Sequence, residues 1–359
     1  MGEVDFLISR SDLHDVRFAD AELPEAGGGE AVLAVESFGL TANNITYAVF
    51  GEAMNYWDFF PAEDGWGRMP VWGFASVSES KHAELEEGTR VYGYLPPSNH
   101  LLIVPDRLDE YGFIDAAPHR APLPSAYQGY RRTDTDPIYD ADREDEQIIF
   151  WPLFYTSFLI DDEIVDEKFF GADTVALSSA SSKTALIAAF LLAQRQGADL
   201  IGLTSAGNKE FVAGLKIYDE VLTYDEVGSL PREKLVYADF SGNGDLRAEI
   251  HEHAGDGLAH DMVIGATHHD EMAAGGQKLP GPSPKFFFAP DRIRKRGEDW
   301  GTPELEKRVA AAWHPFAEWS GDWLEPRHGS GSEDLKNTYL EVLDGDIGPE
   351  IGPVISLDR

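Results

Sequence analysis

The segment Thr174–Ala185, TVALSSASSKTA, constrains this chain most, because an apolar strand runs directly into small hydroxyl residues and then into an Ala/Leu/Ile helix. A turn of this kind carries the backbone close to an anion, and the N–H groups at the positive end of the following helix point at it. Close approach requires small side chains, of which glycine is only the commonest. Ser179, Ser182 and Ala185 recur every third residue, the register of a G-x-x-G-x-x-G dinucleotide turn. Ser179, Ala180, Ser181, Ser182, Lys183 and Thr184 are therefore the residues expected around a pyrophosphate, with hydroxyls as additional donors. A P-loop would need both glycines of GxxxxGK[ST], and only the Lys183-Thr184 pair is present. A serine-lysine nucleophile fails because Ala180 stands three residues before Lys183. An ordinary ligand-free strand-to-helix turn has the same pattern and stays open as the alternative.

At roughly 150 residues per domain, 359 residues predict about two domains, each able to bury a core. The longest apolar run, Ala185–Ala193, is half of the ~20 residues that span a bilayer. The N-terminal MGEVDFLISRSD is acidic and has no signal-peptide core, so the expectation is a cytoplasmic protein without membrane attachment. Zero cysteines remove disulfides, thiolate nucleophiles and sulfur-based zinc sites. The formal charge of −35 repels nucleic acid and anionic membrane. Acidity on this scale reads as adaptation of the surface to solubility or salt. An anionic cofactor can still bind where helix N-termini and a few local cations oppose the global field.

From about Glu30 to Glu110, short alternating runs punctuated by Gly and Pro (AVLAVESFGL, VWGFASVSES, TRVYGYLPP, LLIVP) predict an antiparallel β-domain. Residues 131–146, RRTDTDPIYDADREDE, hold seven acids and no apolar period, which predicts an exposed excursion. FWPLFYTSFLIDDEI predicts a helix. Strand-like runs then recur at Thr174–Ser178, Asp199–Thr204, Glu220–Leu222, Lys234–Asp239, Asp261–Ile264 and Lys285–Ala289, with helical segments in several gaps. That alternation predicts a doubly wound parallel sheet, hence an α/β chain. An amphipathic stretch over 301–320 precedes an extended terminus ending GPVISL, which can return to the first domain.

ESFGLTANN in a β-domain, the element Gly88-Thr89-Arg90-Val91-Tyr92-Gly93 and the Rossmann-like half together resemble the medium-chain dehydrogenase/reductase superfamily over nearly the whole chain. WPLFYTSFLIDD, LSSASSKTA, IGLTSAGNKEFV and FFFAPDRIRKR resemble, more narrowly, a branch of it known as a domain of unknown function. The resemblance implies a GroES-like catalytic domain over 1–150, completed by about 320–359, and a Rossmann NADP-binding domain over 151–319 with the cofactor in a cleft. It implies a zinc-independent member like the quinone and enoyl reductases, which agrees with the absence of cysteine. It also implies a homodimer paired through the edge strand, here Lys285–Ala289.

Cofactor choice is read at the end of the second Rossmann strand, where an acid would bind the ribose 2′-hydroxyl of NAD. This strand ends Leu203-Thr204-Ser205, and Asp199 stands at its opposite end. Asn208 and Lys209 can donate to a 2′-phosphate, and similar reductases use comparable groups, so NADPH is the expected cofactor. In related reductases a tyrosine at the position of Tyr224 lies near the adenosine phosphate. Asp239–Asn243 and Gly265, Ala266 and Thr267 follow the fourth and fifth strands and are expected at the ligand crevice. Phe287 and Phe288 can pack on a nicotinamide or be strand core.

The substrate side is expected from Asn43, Asn44, Tyr47 and the loop AMNYWDFFPAEDGW. Hydride transfer to an activated C=C or C=O needs a donor to the carbonyl oxygen, and Tyr47 and Tyr56 are the candidates, with Asn44 beside them. Tyr155 and Thr156 can touch the nicotinamide ribose, and His119 and Arg120 an anionic substrate. No metal site is expected: in IHEHAGDGLAH, Ala254 and Gly255 occupy the last two positions of H-E-x-x-H, and His251, His253, His260 and the pair His268-His269 lack ligand spacing. The residues together predict an NADPH-dependent, metal-independent oxidoreductase acting on a small enone, quinone or related carbonyl. A metal-free carbonyl reductase and an NADP(H)-binding protein without turnover are the alternatives.

Overall fold

The computed structural model of the protein describes residues 4–265 and 279–357. The chain divides into two compact units, Met1–Pro152 with Ser320–Arg359, and Leu153–Trp319.

The first unit is built mainly on antiparallel strands, with one parallel pair, Glu325–Ser330 and Ile351–Ser356. The main sheet runs in the order Glu325–Ser330, Ile351–Ser356, Ala31–Gly39, Val71–Ser80, Arg90–Leu95, Gly129–Arg132, Gly112–Asp115 and Pro105–Asp106. His100–Ile103 also pairs with Ala31–Gly39. The C-terminal segment enters by pairing Val354 with Gly39 and Ile355 with Phe38. Alternation puts Leu33, Val35, Val71, Val91 and Leu95 into one core with Phe6, Phe38, Tyr339 and Ile355. Gly73 is required where the pairing shifts register between Val35 and Ser37, since a Cβ there would stand 2.0 Å from the Ser37 carbonyl oxygen.

Residues 131–146 correct the expectation of an exposed excursion. Arg131 holds the buried Asp136 carboxylate through Nε and Nη2 at 2.8 and 2.7 Å, and Ile138 is buried. Glu144, Asp145 and Glu146 form the first turn of the helix Glu144–Asp166, where carboxylates face its positive end.

The second unit is a six-stranded parallel sheet in the order Glu220–Thr223, Asp199–Thr204, Thr174–Leu177, Leu235–Asp239, Leu258–Val263 and Lys285–Phe286. Numbered along the chain this is 3-2-1-4-5-6, the Rossmann order. Both faces are covered, so the central strands read as continuous apolar runs: every residue of Thr174–Leu177 and Leu235–Asp239 is buried. The last strand is shorter than expected, because Ala289 and Pro290 open the helix Ala289–Trp300. Among the described residues no helix is long and apolar enough to cross a membrane.

Within this unit the helix Glu144–Asp166 is fastened to Ala289–Trp300 by the buried Asp162. Its carboxylate accepts from Arg292 Nε at 2.5 Å and Arg296 Nε at 2.7 Å. Asp166 accepts from both guanidiniums at 2.9 Å, and these hydrogen bonds outweigh burial and bring its pKa down to about 2. Asp162→Ala leaves the buried Arg292 with Asp166 alone and the buried Arg296 with Asp166 and Asp299. It is expected to cost about 3 kcal/mol in denaturant unfolding, and a loss below about 1 kcal/mol would show that the cluster does not hold the helices.

Candidate functional site

The crest of the parallel sheet is organised by the turn that follows Thr174–Leu177. Ser179 adopts φ 49°, the left-handed conformation that glycine ordinarily supplies in such a turn. Ser182 caps the helix Lys183–Ala193, its hydroxyl accepting from Ala185 N at 3.3 Å. Ser181, Ser182, Lys183 and Thr184 are half-buried along the turn. Ala180 instead faces the core: it is fully buried, its N–H donates to Leu203 O at 3.0 Å, and its carbonyl accepts from the Tyr218 hydroxyl at 3.3 Å. Its methyl group is a packing element of the turn, set against Gly202 of the second strand.

The residues proposed for the adenosine end lie at the ends of the second and third strands, tied to one another. Asn208 Nδ2 donates to Ser181 Oγ at 2.9 Å, and Thr204 Oγ1 reaches Ser181 Oγ at 3.4 Å. Ser205 is exposed, and its carbonyl accepts from Asn208 N at 3.1 Å. The Tyr224 hydroxyl hydrogen-bonds to Ser179, and burial raises its pKa. Lys209 Nζ lies 2.6 Å from Glu226 Oε2. Sequence reasoning missed Glu226, although Thr223-x-x-Glu226 is a capping box, visible as such before a helical turn. The hydrogen bonds from Lys209 and Thr223 bring its pKa down to about 2, so it stays ionised through the neutral range.

Asp239, at the end of the fourth strand, is engaged by its own neighbours. Its buried carboxylate accepts from Ser178 Oγ at 2.8 Å, Ser241 N at 3.0 Å, Ser241 Oγ at 2.8 Å, Gly242 N at 3.1 Å and the guanidinium of Arg247. Its role is to lock the loop after the fourth strand onto Ser178, the first residue of the serine turn. Gly265 packs beside that loop: a Cβ there would stand 2.3 Å from Phe240 O. Phe288 is 53% exposed at the start of the helix Ala289–Trp300, while Phe287 is buried. Ala266, Thr267 and the His268-His269 pair lie outside the described residues.

The remaining histidines of this unit named above have structural partners. His251 places Nδ1 2.7 Å from Pro280 O and Nε2 2.8 Å from Asp261 Oδ2. Burial opposes its charge, but these two acceptors prevail and raise its pKa. His253 Nε2 lies 2.8 Å from Leu230 O, and His260 stacks on Phe170 at 3.8 Å, burial lowering its pKa to about 4. The Tyr155 hydroxyl donates to Glu306 at 3.2 Å, and Thr156 is half-buried.

In the first unit, Tyr47 and Tyr56 meet in an aromatic cluster with Phe59, Phe60 and Tyr94, their ring centroids 4.7 Å apart. Both are buried, at 5% and 7% exposure, and burial raises both pKa values, so both hold their protons firmly. Their hydroxyls differ. Tyr47 accepts from Asn43 Nδ2 at 2.8 Å and Trp72 Nε1 at 3.2 Å, which leaves its own O–H as the group available to donate. Tyr56 meets the Tyr127 hydroxyl at 3.4 Å. Sequence reasoning missed both Trp72 and Tyr127. Asn44 is fully committed: Oδ1 accepts from Thr41 N at 2.8 Å in a helix cap, and Nδ2 donates to Pro70 O at 3.2 Å. Arg120 is likewise a core residue, donating to Asp115 at 2.8 Å, the Tyr130 hydroxyl at 3.0 Å and Tyr127 O at 2.7 Å. His119 joins Phe59, Phe60, Arg68 and Ser98 around a pocket of about 410 Å³.

A Rossmann unit and a GroES-like β-unit on one chain define the fold of the medium-chain reductases, and solved structures share it. CurA from Vibrio vulnificus in complex with NADPH is 13% identical, with a TM-score of 0.58 over 99% of each chain. A mutant form of enoyl thioester reductase from Candida tropicalis is 14% identical, with a TM-score of 0.59 over 99% of this chain and 100% of that one. The quinone oxidoreductase from Coxiella burnetii is 12% identical, with a TM-score of 0.53 over 99% of each. The chain belongs to the family described as "Protein of unknown function (DUF2855)", whose model matches residues 38–348. No curated protein matches the sequence.

The left-handed Ser179 yields a test of the turn. Ser179→Gly and Ser179→Ala both remove the hydroxyl, but only alanine retains a Cβ at positive φ. The glycine variant is expected to be about 1 kcal/mol more stable than the alanine variant in thermal unfolding; equal stabilities would mean that the turn is not left-handed at this residue.

Proposed function

We propose that the protein is an NADPH-dependent, metal-independent oxidoreductase that reduces an activated C=C or C=O in a small molecule such as an enone or quinone. The observation that carries the reading is the left-handed Ser179 at the start of a capped helix on the first strand of a 3-2-1-4-5-6 sheet. The residues fit the group: Ser179, Ser181 and Ser182 are small donors along the turn, and Thr204, Ser205, Asn208, Lys209 and Tyr224 follow at the neighbouring strand ends. Lys183 and Thr184 supply first-turn backbone of the helix. The NADPH of the CurA structure and the enoyl thioester and quinone reductase names of other neighbours support the same assignment.

The nicotinamide supplies the hydride in this chemistry. Tyr47 is the proposed donor to the carbonyl oxygen, because its hydroxyl oxygen is engaged as an acceptor by Asn43 and Trp72 and its proton remains to be given. Asn44 positions the helix that carries Tyr47, and Tyr56 packs against the Tyr47 ring. Asp239 and Gly265 shape the loops around the turn. Phe288 is an exposed aromatic group available to a nicotinamide. With no cysteine in the chain, a sulfur-ligated zinc has no part in polarising the carbonyl.

A panel of enones and quinones, followed by NADPH absorbance, tests the reading. The wild type is expected to oxidise NADPH with at least one acceptor. Tyr47→Phe should lose about 100-fold or more in kcat while keeping cofactor affinity. Tight NADPH binding with no acceptor consumed would identify a dinucleotide-binding protein without turnover.

A further inference from the structure

We propose that Glu226 is a specificity-determining residue that narrows the preference for NADPH over NADH by occupying the ammonium a 2′-phosphate needs. The inference rests on the cofactor reading above and concerns how strongly that site selects the phosphorylated form.

Lys209 opens the short helix Lys209–Gly214 that follows the second strand, and Glu226 comes from the turn after the third. The carboxylate is not free to swing aside, because the oxygen that meets Lys209 Nζ at 2.6 Å also accepts from Thr223 N at 2.8 Å and Thr223 Oγ1 at 2.9 Å. It is a fixed anion, anchored by backbone. The local charge reinforces it: across residues 204–211 and 223–229, Lys209 is the one cation against Glu210, Asp225 and Glu226. A 2′-phosphate arriving at Lys209 must draw the ammonium away from a carboxylate that stays in place and then lie beside it, and like charges at that separation repel. A ribose 2′-hydroxyl meets the opposite situation, since it can donate to the same carboxylate. Neither Asn208, bonded to Ser181, nor Tyr224, bonded to Ser179, adds positive charge to offset this.

The test is the ratio of NADPH to NADH dissociation constants for full-length wild type, Glu226→Gln, Lys209→Gln and the double variant, with thermal midpoints to confirm folding. The amide introduced by Glu226→Gln keeps an acceptor for Thr223, so the cap is retained. This variant is expected to tighten NADPH roughly five- to tenfold, leaving NADH unchanged or weaker, and to do so only where Lys209 is present. The gain should shrink at high salt. A ratio that is unchanged, or that moves toward NADH, would overturn the proposal by making Glu226 a positioning group for Lys209. Failure of all four proteins to bind either nucleotide would instead remove the cofactor reading, and this proposal with it.

Discussion

The buried carboxylate of Asp239 is the fastening on which the crest of the parallel sheet depends. It draws donors from two separate loops, Ser178 at the head of the serine turn and Ser241 and Gly242 beyond the fourth strand, and it neutralises Arg247. Hydrogen bonds to a charged acceptor contribute about 1.5–3 kcal/mol each, so the two loops are held in register by several such contacts. The fastening continues inward. Arg247 Nε lies 3.4 Å from the buried Asp261, and Asp261 accepts from His251. One run of alternating charge thus links a helix, two strands and the loop that positions Ser178.

That rigidity explains how serines replace glycines here. A left-handed Ser179 costs about 1–2 kcal/mol relative to glycine, and it persists because its neighbours are fixed: Ala180 is pinned to Leu203 and Tyr218, and Ser182 caps the helix. In exchange the turn gains hydroxyl groups that bond to Asn208, Thr204 and Tyr224. The same economy of cations recurs elsewhere. With 29 Lys and Arg against 64 Asp and Glu, the buried guanidiniums Arg120, Arg292 and Arg296 each hold carboxylates at structural crossings.

Much of the fold is legible in the sequence because each element carries a local signal. The apolar runs at Asp199–Thr204 and Lys234–Asp239 match strands to within a residue, since parallel strands covered on both faces leave no polar alternation to misread. The strand at Lys285 reads too long, because FFF suggests a buried edge while Pro290 already sets a helix start. The acidic stretch 131–146 misleads for a different reason. Its composition is that of a solvated loop, but Arg131 and Asp136 are partnered, which only the folded chain reveals. At the site, residue types are legible and their commitments are not. Asn44, Asp239 and Arg120 have the chemistry of functional groups, and all three are consumed by internal hydrogen bonds that reach into other loops or elements.

The central claim is that the serine turn cradles a dinucleotide pyrophosphate, and amide hydrogen exchange of the full-length protein with and without saturating NADPH tests it most directly. Protection is predicted to concentrate over residues 178–186, with a second zone over 204–209. Unchanged exchange in those segments, or protection confined to other parts of the chain, would contradict the account.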